Sequence, residues 1–179
     1  MALKAITRAK HYIRPAKPFL GNATPYFECT ASAAVVKGDV LKIASGKVAR
    51  ASDPSSARAT GIFGIAAHGV SSASDTVQVI PAVPGLIFEA AVNGSASTAA
   101  KYTSKTTDVG LRYALDLSST NKCWFVNKDI SGDTADKTNV TVVGLKDAAS
   151  TSQGHVYIVF HASGTKYAGP VTASSHAHG

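Results

Sequence analysis

Residues 36–51 read VKGDVLKIASGKVARA, and residues 59–92 read ATGIFGIAAHGVSSASDTVQVIPAVPGLIFEAAV. Short apolar runs alternate here with turns of Gly, Asp, Ser and Pro, and each run has the length of a strand rather than a helix. Lys37-Gly38-Asp39 and Ser45-Gly46-Lys47 are turn signals, so Val40 to Ile43 and Val48 to Arg50 read as a hairpin. Val77 and Val79 alternate with polar neighbours, the period of a half-buried strand. Pro81 and Pro84 bracket a bend before Leu86-Ile87-Phe88. Asn93-Gly94 then offers the positive φ angles of a tight turn.

Working outward, strands are expected at 26–31, 39–44, 47–51, 61–67, 75–81 and 86–92. The second half repeats the style at 113–117, 123–126 and 140–145. In the last run Val156, Ile158 and Phe160 face one way and Tyr157, Val159 and His161 the other. Both faces are largely apolar, which predicts a central strand. Polar connections are expected at 52–60, 129–137 and 148–154, and residues 95–105 form either a long surface loop or a joint between two sub-barrels. The fold class is therefore all-β: a small barrel or sandwich of short strands, with an extended N-terminal arm and a flexible C-terminal tail. The divisions are a basic arm at 1–26, a β-rich domain at 27–168, as one body or two sub-barrels, and a tail at 169–179.

Charge separates the arm from the rest. Lys4, Arg8, Lys10, Arg14 and Lys17 all precede the first acid, Glu28. The formal net charge is +7, but beyond these five the chain has thirteen bases against eleven acids, a balance of only +2. Ile13, Phe19 and Leu20 stand between or beside the arm's charges, with Ile6 and Tyr12, and make it too apolar for a purely solvated tail. Such an arm either docks on an acidic surface or packs on its own domain as an edge strand.

Reaction chemistry is hard to find in these residues. There is no GxSxG elbow, and Cys29 and Cys123 have no CxxC partner, so they read as buried free thiols in strands. Asp39, Asp53, Asp75, Asp129, Asp133 and Asp136 lie among Gly, Ser or Pro, where an Asp side chain accepts bonds from turn amides. Glu89 is the exception, inside LIFEAAV; an exposed strand face accounts for it first, and a contact with a basic partner second. Gly61-x-x-Gly64 lacks the Lys-Ser/Thr of a phosphate loop and reads as a bulge or close crossing. His176 and His178 make only a terminal HxH pair, and His155 and His161, on one strand, are about 20 Å apart at strand rise. No metal or cofactor is expected, and no catalytic residue. The basic arm carries Tyr12 and Phe19 but no aromatic pair of an RNA-binding strand, so no nucleic acid is expected. No apolar run reaches membrane-spanning length and the first residues lack a secretory centre, so the expected place of synthesis is a cytoplasm and no membrane partner is expected.

The strings KGDVLKI, GIFGIAAHG, DTVQVIPA and PGLIFEAAV in this order resemble the capsid decoration, or cement, proteins of tailed bacteriophages. The likeness extends through YALDL, KCWFVNKD, VTVVGL and HVYIVF, over about residues 27–162. It implies a β-barrel on the outside of a phage head, bound to the major capsid protein of the same virion and clustered as a trimer. On that reading Lys4, Arg8, Lys10, Arg14 and Lys17 would supply charge to the shell contact, and Ile13, Phe19 and Leu20 apolar anchors. The alternative is a non-catalytic β-domain that binds carbohydrate or a host surface. That function needs an exposed aromatic platform, and Trp124 lies in the apolar run KCWFV, where core packing is the competing use.

Overall fold

The computed structural model describes residues 12–16, 25–51, 61–93, 107–118, 122–131, 138–161 and 165. The described residues hold eleven strands and no helix. They are β1 (Arg14–Pro15), β2 (Phe27–Thr30), β3 (Val40–Ala44), β4 (Lys47–Arg50), β5 (Ile62–Ala66) and β6 (Thr76–Pro81), then β7 (Ile87–Asn93), β8 (Arg112–Leu117), β9 (Trp124–Ser131), β10 (Val140–Leu145) and β11 (His155–Phe160). The all-β expectation holds, and ten of the eleven strands lie where the periodicity put them. The exceptions are β1, which nothing in the pattern announced, and the far end of β9, which carries residues 129–131 in a strand where a polar turn was expected.

Five strands close on themselves. The order β7-β11-β10-β8-β9 is antiparallel throughout, and β9 returns to β7 by a parallel pairing of Val92 with Val126 and Asn93 with Asn127. Strand β11 lies between β7 and β10, the central place its two apolar faces predict; Val156, Ile158 and Phe160 are its buried side. The second sheet runs β2-β6-β5-β3-β4 and curls until Ala31 beside β2 meets Val48 of β4 in a parallel bridge. The chain passes from this sheet to the barrel between Pro81 and Ile87, before residues 95–105, which read as either a long surface loop or a joint. That stretch and the Asn93-Gly94 turn fall on residues outside the description.

The hairpin of β3 and β4 shows how local chemistry fixes register. Ala44 pairs with Lys47, which leaves only Ser45 and Gly46 as the loop, with φ of +52° and +74°. Two successive positive φ angles are what a tight hairpin turn with the strands' own twist requires. Gly64 does the close-packing work foreseen for it. A Cβ there would lie 2.3 Å from the Ile80 carbonyl oxygen, and the β3–β5 register slips beside it, between Leu41 and Lys42.

Alternation gives the second sheet two apolar faces. Leu41, Val48, Ala66, Val77 and Val79 form a small core inside the curl. Their neighbours Val40, Ile65 and Ile80 point the other way, into a core shared with Phe88, Leu115 and Trp124 of the barrel. Sheet and barrel are thus packed on one another through a continuous apolar layer, and the two cannot part without exposing it.

Candidate functional site

Residues 12–16 of the arm lie on the body. Strand β7 offers β11 one edge along its length. Its other edge is divided: Val92 and Asn93 pair with β9, while Phe88 and Glu89 pair with Pro15 and Arg14 of β1. The arm's root therefore takes up the part of the β7 edge that β9 leaves. Pro15 is tolerated because β1 is only two residues long and lies at the end of its sheet. Ile13 is 1% exposed in the shared core, and Ala16 is fully buried and donates its N–H to the Ile87 carbonyl at 2.9 Å.

This placement locates two of the residues expected to dock, Ile13 and Arg14, on the chain's own body. Ile13 and Arg14 serve the chain's own body, as the edge-strand alternative anticipated, and Ile13 has no surface left to anchor elsewhere. Lys4, Arg8, Lys10, Lys17, Phe19 and Leu20 lie outside the described residues. Glu89 corrects an expectation. It is 6% exposed rather than on an open strand face, and its Oε2 accepts from Arg14 Nε and from Lys146 Nζ, each at 2.6 Å. Burial pushes the Glu89 carboxyl up, but the bonds from Lys146 and Arg14 and their charges outweigh it and hold the group below the usual carboxylate range.

Around this ion triad opens a groove of about 720 Å³ between the second sheet and the barrel. Its floor is apolar, with Ile13 and Pro15 from the arm root and Ala66 and Ile80 from the sheet. Tyr12 and Tyr26 supply aromatic surface, and Tyr26 is 54% exposed. The Arg14 guanidinium lies 5.6 Å and the Lys37 ammonium 5.3 Å from the centre of the Tyr12 ring. These two cations, Arg14 above all and against the effect of burial, with Lys37 assisting, draw the phenol below its ordinary pKa. Gly38 lets this happen. Its φ is +82°, and a Cβ would sit 2.6 Å from that of Tyr12, so the Lys37-Gly38 turn can lie flat against the arm root only without a side chain.

Elsewhere the polar side chains hold turns and barrel strands. The buried Asp39 accepts from the Val36 N–H at 2.8 Å and from Arg50 at 3.0 Å, and Asp75 accepts from the Ser72 N–H at 3.0 Å, the turn roles expected of them. Asp129 instead presents its own N–H to the Asn127 side chain. Asp108 binds Lys128 at 2.7 Å and the Tyr113 hydroxyl at 3.0 Å. His155 pairs with Asp147 at 3.0 Å, and His161 with Thr141 at 2.6 Å. Cys123 is buried, but just before β9, and Cys29 in β2 is only half-buried; neither forms a disulfide. Trp124 is 1% exposed in the core, which removes it from any aromatic platform.

Sequence reasoning missed the groove because its charges come from distant places. Lys37 read as part of a turn and Lys146 attracted no notice; only Glu89, a carboxylate inside an apolar run, carried a signal. No family model matches this chain, and no curated protein is significantly similar to it in sequence.

Proposed function

We propose that this protein is a structural component of a tailed-phage virion, which binds the outside of the assembled capsid and stabilises it. The observation that carries the proposal is the clamped arm root. A cement protein must pass load between a shell contact and a rigid body. Here residues 12–16 are fixed by strand pairing, by buried Ile13 and Ala16 and by the Arg14–Glu89 pair, at the seam where sheet and barrel meet. Lys4, Arg8 and Lys10 precede that root and Lys17, Phe19 and Leu20 follow it. A contact made by those residues is therefore attached to the body at the seam between sheet and barrel.

The strings that resemble decoration proteins supply further support, since KGDVLKI, DTVQVIPA, PGLIFEAAV and HVYIVF each fall on one of the strands. A ligand that binds only the assembled shell disfavours its disassembly by mass action, and no active site is needed for that. Self-association as a trimer belongs to the same proposal. Strand β2 pairs with β6 on one side, while Phe27 at its start is 50% exposed, and a strand edge of this kind gains by being covered by a copy of the chain. The proposed location is the virion surface, after synthesis in the host cytoplasm.

The test is co-sedimentation with capsids of the virus that encodes the protein, using the full chain and a form lacking residues 1–11. The full chain should pellet with capsids, and the truncated form should remain folded and pellet less. Equal binding by both would move the contact from the arm to the β body; no binding by the full chain would end the proposal. Electron microscopy of the decorated particle tests the trimer, which isolated single copies would refute.

A further inference from the structure

The described residues that line the groove beside the arm root carry more bases than acids. Among its described lining residues, Arg14, Lys37 and Lys146 face a single acid, Glu89. Arg14 and Lys146 converge on one oxygen of that carboxylate yet keep 40% and 29% of their side chains exposed. Lys37 is exposed and faces the Tyr12 phenol rather than an acid.

We infer that this groove is a binding site for an acidic peptide segment of a partner protein, with one carboxylate seated among Arg14, Lys37 and Lys146. Three observations fix the chemistry. Glu89 shows that the site's cations hold a carboxylate at 2.6 Å, and Arg14 and Lys146, while paired with it, keep part of their side chains exposed beside Lys37, where a second carboxylate can sit. The apolar floor and the rings of Tyr12 and Tyr26 suit side chains flanking that acid, which a bare inorganic anion would leave uncovered. The volume of about 720 Å³ lies in the range of sites that enclose a ligand of several side chains or a small molecule. The source of the segment, the capsid shell, rests on the function proposed above; its chemistry does not.

The experiment uses the isotope-labelled full chain and a hexaglutamate peptide, followed by amide chemical shifts in NMR. Saturable shifts at residues 12–16, 37 and 146 are expected, fading with added salt. Lys37→Glu should weaken the peptide on the order of tenfold, because reversal replaces an attraction by a repulsion of similar size. Lys37→Gln should weaken it by less, and Lys47→Glu, an exposed hairpin lysine outside the groove, should leave it unchanged. Shifts scattered over all basic residues, or equal loss with Lys47→Glu, would overturn the site. Tighter binding of a heparin oligosaccharide at the same amides, without the peptide, would overturn the peptide assignment. Co-sedimentation separates the two proposals. If Lys37→Glu loses the peptide but keeps the capsid, the groove stands and its assignment to the shell falls; if the capsid binds but the peptide never does, the groove inference falls alone.

Discussion

Truncating Ile13 to Ala tests whether the arm root is a clamp. A buried Ile→Ala change ordinarily costs about 2–5 kcal/mol in lost transfer and cavity. At Ile13 the loss has another outlet, because the root can leave the body as a unit. Fixing the backbone of residues 12–16 costs roughly 5–10 kcal/mol. Against that, burying Ile13 contributes about 1.5–3 kcal/mol, and each backbone bond to β7 about 1. The Arg14–Glu89 pair adds about 1 at most, since Arg14 is 40% exposed. These terms nearly balance, so docking of the root is marginal, and removing most of the Ile13 side chain should release it.

Hydrogen exchange on the full chain distinguishes the outcomes. In Ile13→Ala the Ala16 amide, which bonds the Ile87 carbonyl, should lose its protection while amides of β10 and β11 keep theirs. Ile158→Ala, at a fully buried position of the central strand, should instead lower global stability by about 2–5 kcal/mol. An Ala16 amide as protected in Ile13→Ala as in the wild type would refute the clamp. So would a loss of global stability as large as that of Ile158→Ala, since β1 would then be integral to the barrel.

Gly38→Ala should lower stability by about 1–3 kcal/mol in thermal unfolding, with the loss concentrated by hydrogen exchange in residues 12–16, because the new Cβ meets Tyr12 at a positive φ. Gly64→Ala should cost about 3 kcal/mol and reduce the soluble yield, since its Cβ would meet the Ile80 carbonyl, which the sheet holds in place. The folded state holds the Glu89 pKa below its ordinary 4.5, so the stability it contributes is full above that value and lost as pH falls through the folded pKa. Glu89→Gln should therefore be less stable than the wild type near neutral pH and show a shallower decline in acid below pH 4.5, measured by urea midpoints across pH.

Most of the fold was legible because its determinants are local. The Ser45-Gly46 turn, the alternation of Val77 and Val79 and the doubly apolar face pattern of β11 each declare themselves within about ten residues. What escaped was set by distance. Strand β1 has two residues, one of them proline, and acquires its structure only by meeting β7 about seventy residues later. Glu89 looked exposed because its bases stand 75 and 57 positions away, on the arm and beyond β10. The passage from sheet to barrel gave no signal for a related reason. Residues 82–86 are too short a link to look like a joint, and Phe88 and Ile80 on either side of it enter the same core.

Arm root and groove are made of the same residues, and that ties adhesion to stability. Arg14 pairs through its backbone with β7 and through its side chain with Glu89, and it also lines the proposed peptide site. A partner carboxylate that drew Arg14 and Lys146 away from Glu89 would leave a buried acid unpaired, at a cost of several kcal/mol. Lys37, which faces only the Tyr12 phenol among the described residues, is the cation that can take the new charge without that cost. Lys37 should therefore carry most of the discrimination for an acidic ligand, while Arg14 and Lys146 hold the floor on which it rests. Because the groove exists only while the root is docked, any ligand it binds also stabilises the root, by an amount that grows with ligand concentration over Kd. A clamp that is marginal in the free protein would thus become firm once the protein is seated on its partner.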